Sequence, residues 1–466
     1  MELLIPLDSR SKKPLYEQIY SHIRAEIRNG SLKAGERLPS TRVLAEHLKV
    51  SRSTTQMAYD QLLAEGYMES RPCRGYFVSH LDELVETGPS GAEEMETTAE
   101  PDAGWRVDFS PRGIDLDSFP YHVWRKLSRN TLVDDNKEMF HSGNHQGEPG
   151  LREAIRSYLH SARGVNCSPE QIIVGAGSEY LLMLLSQILE GKHVIAMENP
   201  TYKQAYRVFR SLDYEVCPVE MDANGMEPEL LTRSGANVAY VMPSHQFPTG
   251  VVMPVGRRQE LLKWAVEAPD RYIIEDDYDS EFRYRGKPIP ALQGMDRSGR
   301  VIYLGTFSKC IAPAIRVSYL VLPTHLLLRY RSQTSFYAST VSRIDQNILY
   351  QFLAGGYFER HLNRMRAVYK TKHDLLLEQI EPLRERFEIR GEHAGIHILL
   401  TSRQGESEEQ LIQKAEEAGV KVYGLSSYFI HPQHNHRPAT VVLGYASLSE
   451  EQIAEGIRLL MECWGA

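Results

Sequence analysis

The 466-residue chain reads as an α/β protein in two unequal parts, and three observations predict this. A short N-terminal stretch shows helical three-to-four spacing of apolar residues and then two β-type runs. Residues 75–105 contain no Lys or Arg at all. Beyond them, short apolar runs alternate with longer helical stretches, the pattern of a mostly parallel sheet covered by helices on both faces. A chain this long is expected to hold two or three domains. They are placed at residues 1–80, 81–105 and 106–466, with a smaller α+β subdomain from about 355.

PLYEQIYSHIRAEIRNG sets Leu15, Ile19, Ile23 and Ile27 four apart and ends at Asn29 and Gly30, which predicts one amphipathic helix. A second helix over residues 40–48 has Ser40 as its N-cap and turns Leu44, Ala45 and Leu48 inward. Lys49 and Val50 then make a tight turn into Ser51, N-cap of a third helix that runs to about Glu65 and stops at Gly66. GYMESRPCRGYFVS comes next as two β runs around a turn, a wing. In such a helix-turn-helix the first turn of the third helix reaches base edges in the major groove of double-stranded DNA, and helix N-terminal hydroxyls hold phosphate. That assigns Arg52, Ser53, Thr54, Thr55 and Gln56 to the major groove and Ser40 to the backbone. Arg42 and Lys49 neutralise phosphate, while Arg74 and Gly75 at the wing tip enter the minor groove.

Charge supports this division. Residues 1–79 hold 12 Lys/Arg and 9 Asp/Glu, a net of +3, which leaves −11 for the rest of a chain whose total is −8. A mildly basic head on an acidic body suits a nucleic-acid module joined to something else. The stretch DELVETGPSGAEEMETTAEPDAG is acidic, small-residue-rich and aperiodic, a solvated linker. After it come the strand-like IIVGAG, HVIAME, VAYVMPS, YIIEDDYD, VIYLGTF and VSYLVLP, then a long charged helix and the short runs GIHILL, KVYGLS and TVVLGYASL.

No run approaches the ~18 apolar residues of a membrane helix, and the opening MELLIPLDSRSKK lacks the layout of a secretory leader. Five scattered cysteines without CxxC or Cys/His spacing point to reduced thiols, a cytoplasmic setting and no metal. The cluster His431, His434 and His436 has no common ligand spacing and reads as a polar loop.

Several separated pieces of the body make sense around one ligand. Lys309, ending VIYLGTFSK, offers an amine for a Schiff base with an aldehyde, the first need of a pyridoxal 5′-phosphate site. Asp276, at the end of YIIEDDYD, suits a protonated pyridine nitrogen, and Tyr278 would reach the ring's phenolic oxygen. VGAGSEYL supplies a strand, a glycine turn and a helix start, so Gly177 and Ser178 form a phosphate cup. Thr306, Ser308 and Arg316 add donors. Tyr202 either stacks on the ring or packs in the core.

The stretch GERLPSTRVLAEHLKVSRSTTQMAYDQLLAEGYMESRPCRGYFV resembles the winged helix-turn-helix of the GntR family across nearly all of residues 8–79. Residues 108–463 resemble a fold-type-I aminotransferase through HQGEPGLREAI, GAGS, the P-T-Y turn, PSHQFPTG, EDDYD and TFSK with its arginine. That resemblance implies pyridoxal phosphate, Lys309 as its Schiff-base lysine, the other residues above as its contacts, and a homodimer with sites at the subunit interface. The two together look like the MocR subfamily of bacterial transcription regulators. Membership of that subfamily implies a cofactor-dependent DNA-binding regulator that senses a small amine, an amino acid or pyridoxal phosphate itself, without physiological turnover. The alternative is a working aminotransferase with a DNA-binding head.

Departures bear on the chemistry. Aminotransferases usually read N-P-T-G where this chain has Phe247, so one contact to the ring oxygen is missing or passes to Ser244, His245 or Gln246. GABA-responsive members of the subfamily hold the effector carboxylate with two arginines, and the matching positions here are Gln204 and Ser427, which disfavours GABA. Lys203, Arg343 or Arg437 would be the substitutes.

Overall fold

The computed structural model describes residues 3, 5–8, 11, 13–80, 104–132, 137–284, 289–392, 394–431 and 438–465. The chain divides into two units at Glu100 and Pro101. The acidic segment expected at 81–105 lies outside the described residues except for its last two positions, as do His434, His436 and Arg437.

In the first unit, α1 (Leu15–Arg28), α2 (Thr41–Leu48) and α3 (Arg52–Ala64) surround a core of Ile19, Ile23, Ile27, Leu44, Ala58, Tyr59 and Leu62. Ser40 and Ser51 cap α2 and α3, each side chain accepting from a backbone N–H three residues on (Val43 and Thr54). Lys49 lies between them in the left-handed region (φ 53°), which makes the turn abrupt. The wing is β2 (Met68–Arg71) against β3 (Gly75–Val78), and β1 (Arg37–Leu38) pairs with the other edge of β3. The sequence does not predict β1, since two residues carry no alternation to read.

The second unit opens with β4 (Val107–Asp108) and centres on an eight-stranded mixed sheet. Its strands are β5 (Ile172–Gly175), β6 (Val194–Asn199), β7 (Glu215–Asp222), β8 (Gly225–Met226), β9 (Val238–Val241), β10 (Tyr272–Asp277), β11 (Val301–Thr306) and β12 (Ser318–Val321), in the order β5-β12-β11-β10-β9-β6-β7-β8. β11, β10, β9, β6 and β7 run parallel, while β12 is antiparallel to both neighbours. Side chains alternate across the sheet: Ile302 and Leu304 of β11 enter one core, Val301 and Tyr303 the cores of the other face. Helices Ser178–Leu189, Lys203–Ser211 and Thr324–Gln333 bury their apolar faces in the first of these, and Pro149–Arg163, Arg343–Ala354 and Tyr357–Gln379 in one on the opposite face.

The 23-residue helix Tyr357–Gln379 leads into a smaller sheet of β13 (Phe387–Arg390), β14 (His397–Ser402), β16 (Tyr423–Gly424) and β17 (Thr440–Gly444). The expected run KVYGLS splits: β15 (Val420–Lys421) leaves this sheet to pair in parallel with β4. That pairing fixes the start of the second unit's chain against its C-terminal subdomain. Among the described residues, no helix is long and apolar enough to cross a membrane.

Candidate functional site

The parallel strands of the large sheet end at one cavity of about 360 Å³, the position where loops leaving neighbouring strands part to form a crevice. Gly177 and Ser178 arrive after β5, Tyr202 after β6, Phe247 after β9, Asp276 and Tyr278 from β10, Thr306, Ser308 and Lys309 from β11, and Arg316 ahead of β12. Every cofactor contact named from the sequence therefore lines this one cavity.

Strand alternation selects the acid. Glu275 turns away and accepts from the N–H groups of Leu292 and Gln293, both at 2.8 Å. Asp277 turns away too, taking Arg163 Nε at 2.8 Å and the Tyr303 hydroxyl at 2.5 Å. Asp276, between them, faces the cavity and accepts from the Tyr240 hydroxyl. Burial pushes its carboxyl up to about 7; the Tyr240 bond opposes this, and Asp277, Asp279 and Glu179 add to it. Lys309 Nζ donates to the carbonyl of Arg112 at 2.7 Å and lies 3.5 Å from that of Pro111. Burial brings its amine down to about 8, against Asp279 and with help from Arg112.

At the other end, Gly177 (φ 96°) precedes helix Ser178–Leu189, and a Cβ there would lie 2.6 Å from Arg316 Nη2. The open cradle, the unpaired first N–H groups of the helix, the hydroxyls of Ser178, Thr306 and Ser308 and the Arg316 guanidinium are a donor set for a phosphate. Glu179 shares Arg316, at 3.2 Å. An amine, a facing carboxylate and an anion cradle on one wall fit pyridoxal phosphate.

Phe247 is the hub of the aromatic wall. Its ring stands edge-on to Tyr202 (centroids 6.2 Å apart), Tyr278 (5.9 Å) and Tyr428 (5.1 Å). None of the three candidate stand-ins for the missing asparagine lines the cavity. Ser244 accepts from Arg163 at 2.6 Å, and Gln246 spans Pro200 and Thr249. His245 lies behind the wall, its Nδ1 3.0 Å from the Tyr278 hydroxyl and 2.9 Å from Asp279. Of the effector positions, Gln204 lines the cavity, but Ser427 and Lys203 line a separate cleft of about 940 Å³. Arg343 is bound to Glu148 at 3.2 Å. Lys203 and Arg343 are thus corrected: neither serves this cavity. Arg112 does line it, and nothing in the sequence singled it out.

On the first unit, Ser40, Arg42, Lys49, Arg52, Ser53 and Arg74 are exposed, and Thr54 and Gly75 partly so. Arg42 pairs with Glu46 at 3.2 Å. The Ser51 hydroxyl meets those of Ser53 and Thr54 at 2.7 and 2.8 Å, a small cluster at the start of α3. Thr55 is a correction: it is fully buried, and its one hydroxyl proton is shared between the carbonyls of Thr41 (2.8 Å) and Arg52 (3.0 Å). The same spacing that buries Ala58, Tyr59 and Leu62 carries it inside. Met57, half exposed on α3, is an addition to the outer face.

Residues 15–78 match the model of bacterial regulatory proteins of the gntR family, and residues 115–460 that of aminotransferase class I and II. The chain is 35% identical to the probable rhizopine catabolism regulatory protein MocR of Rhizobium meliloti, over 98% of this chain and 95% of the relative. It is 32% identical to the pyridoxine biosynthesis transcriptional regulator PdxR of Corynebacterium glutamicum, over 92% of each. The chain belongs to the MocR subfamily of GntR-type transcription regulators. The MocR-type body is built on a pyridoxal-phosphate-dependent fold. A multiple substrate aminotransferase from Thermococcus profundus superposes with a TM-score of 0.69 at 28% identity, covering 78% of this chain and 91% of that one. Among the described residues of this MocR-type chain, no group of three or more His, Cys, Asp or Glu is placed to hold a metal.

Proposed function

We propose that this regulator binds pyridoxal phosphate on Lys309, acts on operator DNA as a homodimer, and is set by a small amine, an amino acid or pyridoxal phosphate itself. The observation that carries this reading is the single cavity joining Lys309, Asp276 and the Gly177–Arg316 cradle in a chain that also has a DNA-reading head. When bound, the cofactor supplies an aldehyde that captures primary amines reversibly.

The chain's own residues prepare for that. With its amine near 8, roughly a quarter of Lys309 is neutral and nucleophilic at pH 7.5, against about 0.1% of an ordinary lysine. Asp276 is costly as an anion in its buried place, and a protonated pyridine nitrogen is the cation that would make it favourable. Ser178, Thr306, Ser308 and Arg316 take the phosphate, and Tyr202 and Phe247 wall the ring. Phe247 has no hydrogen bond to give the ring oxygen, which supports sensing over efficient turnover. Phe336 and Tyr337 lie with tilted rings 4.4 Å apart in the open (75% and 45% exposed), a few residues before Thr340, which accepts from Ala176 N–H next to the cradle. This exposed aromatic patch supports a partner subunit that covers it. On the head, Arg52, Ser53, Thr54 and Gln56 are the base-reading set, with Ser40, Arg42, Lys49, Arg74 and Gly75 on the backbone and minor groove.

The test is a titration of full-length protein onto DNA from its own promoter region, with and without pyridoxal phosphate, while the visible spectrum is followed. Sequence-specific binding that changes with the cofactor is expected, together with a visible band that disappears in Lys309→Ala. No specific binding in either state overturns the regulatory reading, and a band that survives Lys309→Ala removes Lys309 as the anchor. Many turnovers with an amino donor and a keto acceptor would favour the aminotransferase instead.

A further inference from the structure

We infer that Arg112 is the anion anchor of the effector site, and that the ligand read there is a primary amine that also carries a carboxylate. The inference rests on the pyridoxal-phosphate reading above.

Three cations line the cavity: Lys309, Arg316 and Arg112. Lys309 is committed to the aldehyde. Arg316 lies against Gly177 at the phosphate end and is already paired with Glu179. Among the described residues, the Arg112 guanidinium has neither a hydrogen bond nor an ion pair. Its backbone lies beside the Lys309 amine, since its own carbonyl receives Lys309 Nζ at 2.7 Å. Its charge is also felt at Lys309, Tyr202 and Tyr428, where it favours loss of the proton. A ligand whose amine attacks beside Lys309 therefore brings its other end within reach of one uncommitted cation. Asp276 and Glu179, the acids of the cavity, repel an anion elsewhere, and Gln204 is neutral.

The loop that carries Arg112 is held rigidly. A Cβ on Gly113 would lie 2.3 Å from Ser447 Oγ, and one on Gly444 would lie 2.3 Å from the Ser110 carbonyl. A side chain at either position would collide with these neighbours. On one side the β4–β15 pairing anchors the loop; on the other, buried Asp115 binds Lys372 at 2.8 Å and its N–H donates to the Tyr369 hydroxyl at 3.0 Å. The backbone that carries Arg112 is therefore ordered before a ligand arrives, and only the exposed side chain has still to be ordered on binding.

Two oxyamines that differ only in charge test this without knowing the natural effector: aminooxyacetate, with a carboxylate, and O-methylhydroxylamine, without one. Each forms a C=N bond to the pyridoxal carbon as Lys309 leaves as its free amine, two protons passing from the oxyamine nitrogen to the lysine. The loss of the visible band gives the rate. Relative to the same pair reacting with free pyridoxal phosphate, full-length wild-type protein should prefer aminooxyacetate about 10- to 100-fold, the range of one charge-assisted contact. In Arg112→Gln that ratio should fall to near its solution value, and Arg112→Lys should keep part of it. The visible band of each variant shows that its pocket is folded and loaded. A normal band with no preference, or a preference that survives Arg112→Gln, overturns the inference alone. No visible band in wild-type protein overturns the cofactor reading and the inference with it.

Discussion

Replacing Asp276 by Asn should stabilise the cofactor-free protein, by an amount that grows with pH. Burial moves this carboxyl from its ordinary 3.8 to about 7. Between those values the native state keeps a proton that the unfolded chain has lost, so native stability falls as pH rises and levels off above about 7. At 1.36 kcal/mol per pH unit the whole window amounts to about 4 kcal/mol, and the stretch from pH 5.5 to 7 to about 2 kcal/mol. Asn cannot ionise, and its carbonyl can still accept from the Tyr240 hydroxyl. Urea unfolding of both proteins without pyridoxal phosphate, at pH 5.5, 7 and 8, should show the variant's advantage widening by about 2 kcal/mol over the first interval and then holding level. A constant or narrowing difference would refute the buried, cation-seeking carboxyl. Adding pyridoxal phosphate should reverse the effect, raising the wild-type midpoint more than that of the variant, since a facing cation makes the anion favourable.

The Lys309 amine should set the pH dependence of cofactor loading: the rate of band formation climbs as pH approaches about 8 and flattens beyond it, and a rate still climbing at pH 10 would place the reacting amine elsewhere. Thr55→Val should lower the head's stability by about 1 kcal/mol, because it strips a buried, fully used hydroxyl, while the salt dependence of DNA binding stays unchanged; a lost salt slope would return Thr55 to the interface. Arg52→Ala, by contrast, should weaken specific binding by about 1–3 kcal/mol in a gel-shift titration. Arg163→Gln should destabilise the body by about 3–5 kcal/mol in urea, since it leaves Asp277 buried without its charge partner; a near-neutral change would mean that Tyr303 alone satisfies that acid.

Features set by local spacing were legible in the sequence. The apolar stripe of α1, the two serine caps and the strand-turn-helix around Gly177 follow from residues within about one turn of each other, and the structure places them where that spacing puts them. The choice of Asp276 out of EDDYD also follows from period two, once the strand is known to end at the cavity. Thr55 was legible too: it lies three residues before Ala58 on the inner stripe, and only its polar side chain suggested an outward role. Arg112 was not legible. Its place depends on Gly113 meeting the Ser447 side chain and Gly444 meeting the Ser110 carbonyl, contacts between residues more than 300 apart, and on a two-residue strand, β4, whose partner β15 reads in the sequence as one continuous run with β16. Contacts of that separation leave no periodicity in a single sequence. Lys203 shows a related limit: adjacency in the chain to the cavity residues Tyr202 and Gln204 does not fix which cleft a side chain enters.

The position of Arg112 also bears on how much a ligand can do. Its loop comes directly after β4, the first described element beyond the acidic segment, so the proposed effector contact lies where the chain enters the body. A ligand shifts a regulator only by the difference in its affinity for two arrangements. One charge-assisted contact, about 1.5–3 kcal/mol, moves such an equilibrium about 10- to 100-fold. Turning a 1:99 population into 99:1 takes about 5.5 kcal/mol. A single Arg112 contact falls short of that, whereas two of them acting on one homodimer equilibrium come close to it. Operator binding by the full-length protein should therefore respond to an amino-carboxylate effector with a Hill coefficient above 1. Mixed dimers holding one Arg112→Gln subunit should respond with a coefficient of 1 and a smaller amplitude. A wild-type response that is already non-cooperative, and equal in amplitude to that of the mixed dimer, would show that one site suffices and that the switching energy comes from contacts other than this arginine.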